Sequence, residues 1–335
     1  MSRKTILITA IVLLVMAGVA LGVVGLEYSK FSSQKLSKST PVTIGKGWGV
    51  SRIAKELEAK QAISSANWFR LLAKIDNKGF IQAGEYRFLP GQTPPDILAS
   101  LKKGLVVQHR LSFPEGLTVK EIVKIMEKAG LPGSSSLLDK QDLLKKLKVQ
   151  APNLEGWFFP DTYQFTKGDT ALDLAVRMTA RSQKILAKEW AGRTPDYKLT
   201  AYETLILASI IEKETGLARE RPIISGVFHN RLRKKMKLQT DPTVIYGIAN
   251  FDGNITRKHL RTPTPYNTYT IPGLPPTPIS NPGREAIHAA LHPEKSPAIY
   301  FVSRGDGSHV FSKTFKEHDA NVDCYQRKKA CKKIK

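Results

Sequence analysis

The chain has 335 residues, of which 52 are Lys or Arg and 29 are Asp or Glu, giving a net charge of +23. Hydrophobic residues make up 41%, which excludes a wholly disordered chain. The two cysteines exclude a disulfide-dense scaffold and a Cys-based zinc finger. The length predicts two or three domains, and the charge predicts a polyanionic partner: nucleic acid, a membrane surface or an acidic polymer.

The first element narrows that choice. Arg3 and Lys4 precede an uncharged run of 22 residues from Thr5 to Leu26. At about 1.5 Å per residue, a helix of that length crosses a hydrocarbon core of about 30 Å. A secretory signal would have a shorter apolar run and a small-residue cleavage site, so this one reads as an uncleaved transmembrane helix. Arg3 and Lys4 favour a cytoplasmic N-terminus, although Lys30, Lys35 and Lys38 on the far side weaken the bias. The sequence has no second apolar run of this kind. An extracytoplasmic remainder would leave no nucleic acid among the partners.

The organisation expected from composition is a cytoplasmic N-terminus at 1–4, the transmembrane helix at 5–27 and a Ser/Lys-rich linker at 28–40. Small modules follow at 41–131, a second linker or short helix at 132–154, a principal domain at 155–322 and a basic tail at 323–335. The modules rest on a repeat. Gly47, Val50, Ile53 and Glu58 recur at an offset of 69 as Gly116, Val119, Ile122 and Glu127, and a fainter copy runs from Phe88 through Gly91 and Ile97 to Leu101. Each copy predicts a short strand, a glycine turn and an amphipathic helix. The first copy is similar to a LysM domain, a small wall-binding module; an arm that only positions the next domain fits equally well. Cys324 and Cys331 are too far apart for a disulfide if the tail is helical, and can pair if it is not.

The chemistry concentrates after residue 155. The sequence has no nucleophile elbow, no P-loop and no dinucleotide fingerprint. His288 and His292 have the i, i+4 spacing of metal ligands, but Ala289 stands where a zincin carries its glutamate and Pro293 ends the helix, so no metal is expected. Residues 200–216 are more informative. Thr200 with Glu203 forms a capping box and Gly216 a C-terminal cap, which predicts a helix of about 15 residues, apolar on nearly every side. Such a helix belongs at the centre of a domain.

The last turn of that helix carries Glu212 and Glu214. Glu214 lies above Leu207, Ile210 and Ile211, so desolvation and the helix dipole should both raise its pKa, as a general acid requires. The alternative is that both are surface carboxylates paired to Lys213, Arg219 or Arg221. The next amphipathic helix, starting near Pro222, places Arg231, Arg233, Lys234 and Lys235 on one face, either an ordinary solvated face or one that also helps hold an anionic polymer. Residues 238–247 present Asp241 beside a turn, with Gln239 and Thr240 before it. The loops at 262–278 carry Tyr266, Asn267 and Tyr269, residue types that stack on and hydrogen-bond to sugars; ordinary surface loops have similar compositions. Glu155, Asp161 and Tyr163 open the domain as further supporting candidates.

Taken together, several stretches resemble the YceG family of endolytic murein transglycosylases, known as MltG. They are 155–163 (EGWFFPDTY), 208–215 (ASIIEKET), 227–232 (VFHNRL), 238–247 (LQTDPTVIYG), 262–270 (TPTPYNTYT), 273–276 (GLPP), and 292–302 (HPEKSPAIYFV) at its two ends. The resemblance implies an α+β fold: an N-terminal transmembrane helix, small LysM-like α+β modules, then an α+β catalytic domain with a central buried helix. It implies a single-pass protein of the cytoplasmic membrane with its catalytic domain extracytoplasmic. The implied partners are peptidoglycan glycan strands, the membrane and peptidoglycan synthases, with no cofactor. The implied reaction cleaves the MurNAc–GlcNAc β-1,4 bond within nascent strands, leaves 1,6-anhydro-MurNAc ends and terminates elongation, with Glu214 as the catalytic acid. Two rival expectations are a hydrolase of the same glycan using Asp241 as second carboxylate, and a non-enzymatic, membrane-tethered wall-binding protein.

Overall fold

A computed structural model describes residues 3–76, 80–138 and 141–327. It divides into two compact units, a first running to His109 and including 164–169, and a second formed by 110–163 and 170 onward.

The first unit begins with α1 (Arg3–Ser33). Its segment Ile11–Ser33 is long and apolar enough to cross a membrane, with a mean hydropathy of 2.2 and no part of its apolar window buried in the protein. There follow β1 (Thr40–Ile44), α2 (Val50–Ala59), α3 (Ala66–Ile75), β2 (Gly84–Phe88) and α4 (Pro94–Lys103). The strands pair antiparallel, with Val42 opposite Tyr86 and Ile44 opposite Gly84. Alternation puts Val42 and Ile44 on the covered face. They join Ile53, Leu57, Phe69, Phe88 and Ile97 in one core, into which Phe31 from the end of α1 also packs.

Next come β3 (His109–Ser112), α5 (Val119–Lys128), α6 (Gln141–Lys146) and β4 (Thr162–Phe165), with β3 and β4 forming a two-stranded sheet. All three repeat copies therefore take the strand–turn–helix form expected of them. Gly47 and Gly116 sit at φ +76° and +77°, the left-handed region that side-chain-bearing residues avoid, which is why the turn recurs with glycine. The first copy lies in the first unit, and the helix of the second copy, α5, lies in the second unit. Residues 135–138 form a short 3-10 turn ahead of α6.

The rest of the second unit comprises α7 (Ala171–Ala191), α8 (Ala201–Glu214), α9 (Arg221–Arg233), α10 (Asp241–Tyr246), α11 (Arg257–Arg261), α12 (Arg284–Leu291), β5 (Tyr300–Ser303), β6 (His309–Ser312) and α13 (Phe315–Tyr325). The strands β5 and β6 form an antiparallel hairpin. Helix α8 is the centre of this unit. Every residue from Thr204 to Ile211 is buried, and α7, α9, α10 and α12 surround it. Its start is the capping box expected from sequence, with Thr200 N donating to Glu203 Oε2 at 2.7 Å. Its end differs: the C-cap is Thr215, in an extended conformation, and Gly216 lies beyond it. The Thr215 hydroxyl accepts from Leu217 N at 3.0 Å, which holds the turn that leaves the helix. Cys324 near the end of α13 is disulfide-bonded; Cys331 and most of the basic tail lie outside the described residues.

Because α8 is enclosed on all sides, Ile210→Ala should cost about 2–5 kcal/mol through lost burial and the cavity left behind. Urea unfolding measures this; a loss below about 1 kcal/mol would contradict a central, fully packed α8.

Candidate active site

A cavity of about 470 Å³ opens at the C-terminal end of α8. That is within the usual range for a small-ligand site. Glu214, Arg231, Gln239, Thr240, Asp241, Tyr269, Tyr300 and His309 line it, together with Phe315, His318 and Val322 of α13 and Gln326 just past its end.

Glu214 is the last residue of α8. The residue is partly buried, and desolvation, aided by the nearby Asp241 charge, pushes its pKa up to about 7. The Thr240 hydroxyl, His309 and Arg231 act in the opposite direction. Thr240 donates its hydroxyl to Glu214 Oε1. Thr240 is itself fixed, since its N–H donates to Thr268 Oγ1 at 3.1 Å and its carbonyl accepts from Thr243 Oγ1 at 2.8 Å. Asp241 stands at the first turn of α10 and accepts from the Tyr269 hydroxyl at 2.7 Å. Burial and this bond to Asp241 hold the Tyr269 phenol protonated, well above its ordinary range.

Arg231 corrects the reading of α9 as having a solvated basic face. It is buried. Its Nε donates to the Ile299 carbonyl at 2.6 Å, and its Nη1 to the carbonyls of Lys237 and Leu238 and to Gln239 Oε1 at 3.0–3.1 Å. The guanidinium therefore fastens the segment before Thr240 to the strand segment before β5. Gln239 takes a left-handed backbone, φ +50°, where it joins α10.

The other candidates fall into distinct places. Glu212 points away from the cavity and pairs with Arg221 at 3.0 Å, while its second oxygen accepts from Gly283 N at 2.8 Å. The surface-pairing alternative thus describes Glu212 by partner, although its side chain is only 5% exposed. Glu155 is buried in a second cluster. It accepts from Val119 N at 3.0 Å, Asn281 Nδ2 at 3.1 Å and the Tyr246 hydroxyl at 3.1 Å, and burial raises its pKa to about 7. Asp161 pairs with Arg181 and accepts from Thr162 N. Tyr163 donates to the Phe159 carbonyl at 2.8 Å.

Asn267 is completely buried, and its amide donates to the carbonyls of His259, Leu260 and Thr262, so it shapes its own loop. Tyr266 bonds Thr277 at 2.8 Å and packs edge-on to Tyr246. Of the eleven candidates, the cavity gathers Glu214, Gln239, Thr240, Asp241 and Tyr269. His288 is turned to Glu189, its Nδ1 2.9 Å from the carboxylate.

Comparisons with known proteins place the chain in a family. The model of the YceG-like family matches residues 42–324. The chain belongs to the YceG-like family. It is 32% identical over 311 residues to a Bacillus subtilis protein named endolytic murein transglycosylase, covering 87% of this chain and 86% of that protein. It is 29% identical to a Streptococcus pneumoniae protein of the same name, spanning 85% of this chain and 58% of the longer relative. Among solved structures, a yceG-like protein of Listeria monocytogenes has a TM-score of 0.55 at 32% identity, covering 85% of this chain and 99% of that one.

Sequence reasoning missed Arg231, His309, Tyr300 and the α13 face. Arg231 lies within the 227–232 stretch, where amphipathicity alone puts it on the solvated face. Tyr300 also lies within such a stretch, 292–302, while His309 and the α13 face carry no local signal.

The raised pKa of Glu214 carries a stability consequence. The folded value, about 7, lies above the ordinary 4.5, so between those values the folded protein keeps a proton that the unfolded chain has released. Stability is therefore lost as pH rises through that window, by up to about 3 kcal/mol for a shift of this size. Glu155 contributes with the same sign. Glu214→Gln, which still accepts from Thr240, should reduce this fall and be more stable than wild type at pH 8. Denaturant unfolding at pH 5 and pH 8 measures it; an unchanged difference between the two pH values would refute the assignment.

Proposed function

We propose that this chain is a membrane-anchored lytic transglycosylase that cleaves the MurNAc–GlcNAc β-1,4 bond within peptidoglycan strands and leaves 1,6-anhydro-MurNAc ends. The observation that carries this reading is the placing of Glu214 in a sugar-sized cavity, bonded to Thr240 beside Asp241, where burial pushes its pKa up to about 7. The curated relatives' name supports the reaction class.

The chemistry follows from one acid. Protonated Glu214 donates its proton to the glycosidic oxygen as the bond to the muramic C1 breaks, and GlcNAc departs with a free 4-hydroxyl. Positive charge develops at C1 and the ring oxygen. The Glu214 carboxylate then takes the proton of the muramic 6-hydroxyl while that oxygen bonds to C1. The proton is back on Glu214, the product is the anhydro ring, and no water is consumed. Thr240 orients the acid throughout. Asp241, held by Tyr269, places a negative charge near the developing cation and helps keep Glu214 protonated beforehand.

Helix α1 serves as the anchor, with Arg3 and Lys4 in the cytoplasm and both units outside, and the protein's partners there are nascent strands and the synthases that make them. The +23 charge favours nearness to anionic lipid and to wall carboxylates. The first unit is read as a LysM-like wall-binding module. In support, residues 40–88 form a strand–helix–helix–strand unit with an apolar core, as a self-standing module requires.

A hydrolase remains the second reading, because Asp241 lines the same cavity as Glu214. Mass spectrometry of uncrosslinked glycan strands digested by wild type and by Glu214→Gln separates the two. Anhydro-muramic ends from wild type, with a loss of at least about 100-fold in the variant, are expected. Reducing muramic ends would instead support the hydrolase, and equal cleavage by the variant would remove Glu214 from the mechanism.

A further inference from the structure

One group in the cavity has no part in the chemistry above. His309 begins β6, opposite Ser303 of β5, and its ring lines the same cavity as Glu214. A single buried carboxylate grips it twice. Glu220 Oε2 lies 2.7 Å from His309 Nδ1, and Glu220 Oε1 accepts from the His309 backbone N–H at 3.0 Å. Glu220 is 7% exposed. It is tied in turn to Thr215, the residue that follows Glu214, whose hydroxyl donates to Glu220 Oε2 at 3.5 Å. Phe301 packs edge-on to the imidazole, with centroids 5.4 Å apart and planes at 89°. The ring's position and tilt are therefore fixed from two sides.

The carboxylate also fixes the chemistry of the ring. Nδ1 carries its proton toward Glu220, so Nε2 becomes the functional nitrogen. No hydrogen bond to Nε2 is made among the described residues. In the neutral ring Nε2 is an acceptor suited to a sugar hydroxyl, and in the charged ring it is a donor suited to an amide or carboxylate oxygen. A chain of side chains running from the end of the acid's own helix thus delivers an oriented, unused polar nitrogen to the cavity. His318, the other histidine there, lacks this arrangement: it stacks on Tyr300 and its Nδ1 is buried without a partner.

We propose that His309, oriented by Glu220, is a substrate-binding residue of this site that contacts a polar group of the glycan through Nε2. The proposal rests on the glycan-cleaving reading of the cavity. The opposing idea is that Glu220 and His309 only staple the β5–β6 hairpin to the segment after α8.

The test uses the full chain in detergent and uncrosslinked glycan strands. Steady-state formation of anhydro ends is compared for wild type, His309→Ala and His309→Gln, alongside thermal unfolding of each. Strand binding is compared for Glu214→Gln with and without His309→Ala. His309→Ala should raise KM about tenfold, the effect of one lost polar contact to substrate. His309→Gln, which keeps a polar amide, should recover part of that loss. The double variant should bind strands about tenfold more weakly than Glu214→Gln alone. Unchanged KM and unchanged binding, or losses in kcat that track a lowered unfolding midpoint in both His309 variants, would overturn the proposal in favour of the staple. Should wild type make no anhydro ends, the reaction assignment fails, and the binding comparison still decides the role of His309.

Discussion

A helix that is apolar on every side has to be surrounded, and this requirement organises the second unit. Helices α7, α9, α10 and α12 pack around α8 and leave its buried stretch, Thr204 to Ile211, no contact with water. The consequence is felt at its end. Glu214 follows this buried stretch as the last residue of α8, where its carboxyl lines the cavity with Thr240, Asp241 and Arg231. Enclosure raises the cost of its charge, and that cost is the source of its acidity near neutral pH. The core and the acid are thus two results of one packing decision.

The segment opposite the acid depends on a second constraint. Residues 238–240 have no regular structure between a single β-bridge at Lys237 and the start of α10, yet they must present Thr240 and Asp241 accurately. Arg231 achieves this with three hydrogen bonds from one guanidinium nitrogen to Lys237, Leu238 and Gln239, and a fourth from Nε to Ile299. A planar fork of donors is suited to collecting carbonyls from two segments in a way that a lysine is not. Burying this cation also stabilises the ionised form of Glu214, so Arg231 restrains how far burial can shift the acid. Burial pushes the pKa of both Glu214 and Glu155 up to about 7, and of the two only Glu214 lines this cavity.

What was legible in the sequence was what short-range chemistry determines. The capping box at Thr200, the all-round apolar character of α8 and the glycine turns at 47 and 116 are local patterns with local causes. Glu214 was legible because its surroundings on the helix, Leu207, Ile210 and Ile211, lie within two turns of it. The C-cap at Thr215 was not, because its extended backbone goes with hydroxyl contacts to Leu217 and Glu220 that the glycine beside it does not signal. Asn267 suggested a sugar ligand by residue type, whereas its three bonds to loop carbonyls account for its amide. Arg231 and the pair of Glu220 with His309 unite positions far apart in the chain, and periodicity carries no information about such partners.

The claim on which the catalytic reading rests is that Glu214 is substantially protonated near neutral pH. Carbon-13 NMR of glutamate-labelled protein, titrated from pH 4 to 9 and assigned by comparison with Glu214→Gln, measures this directly. A Glu214 side-chain carboxyl resonance that titrates near 7 is predicted. Titration of that resonance in the ordinary carboxylate range, near 4.5, would contradict the claim and remove the basis for assigning Glu214 as the general acid.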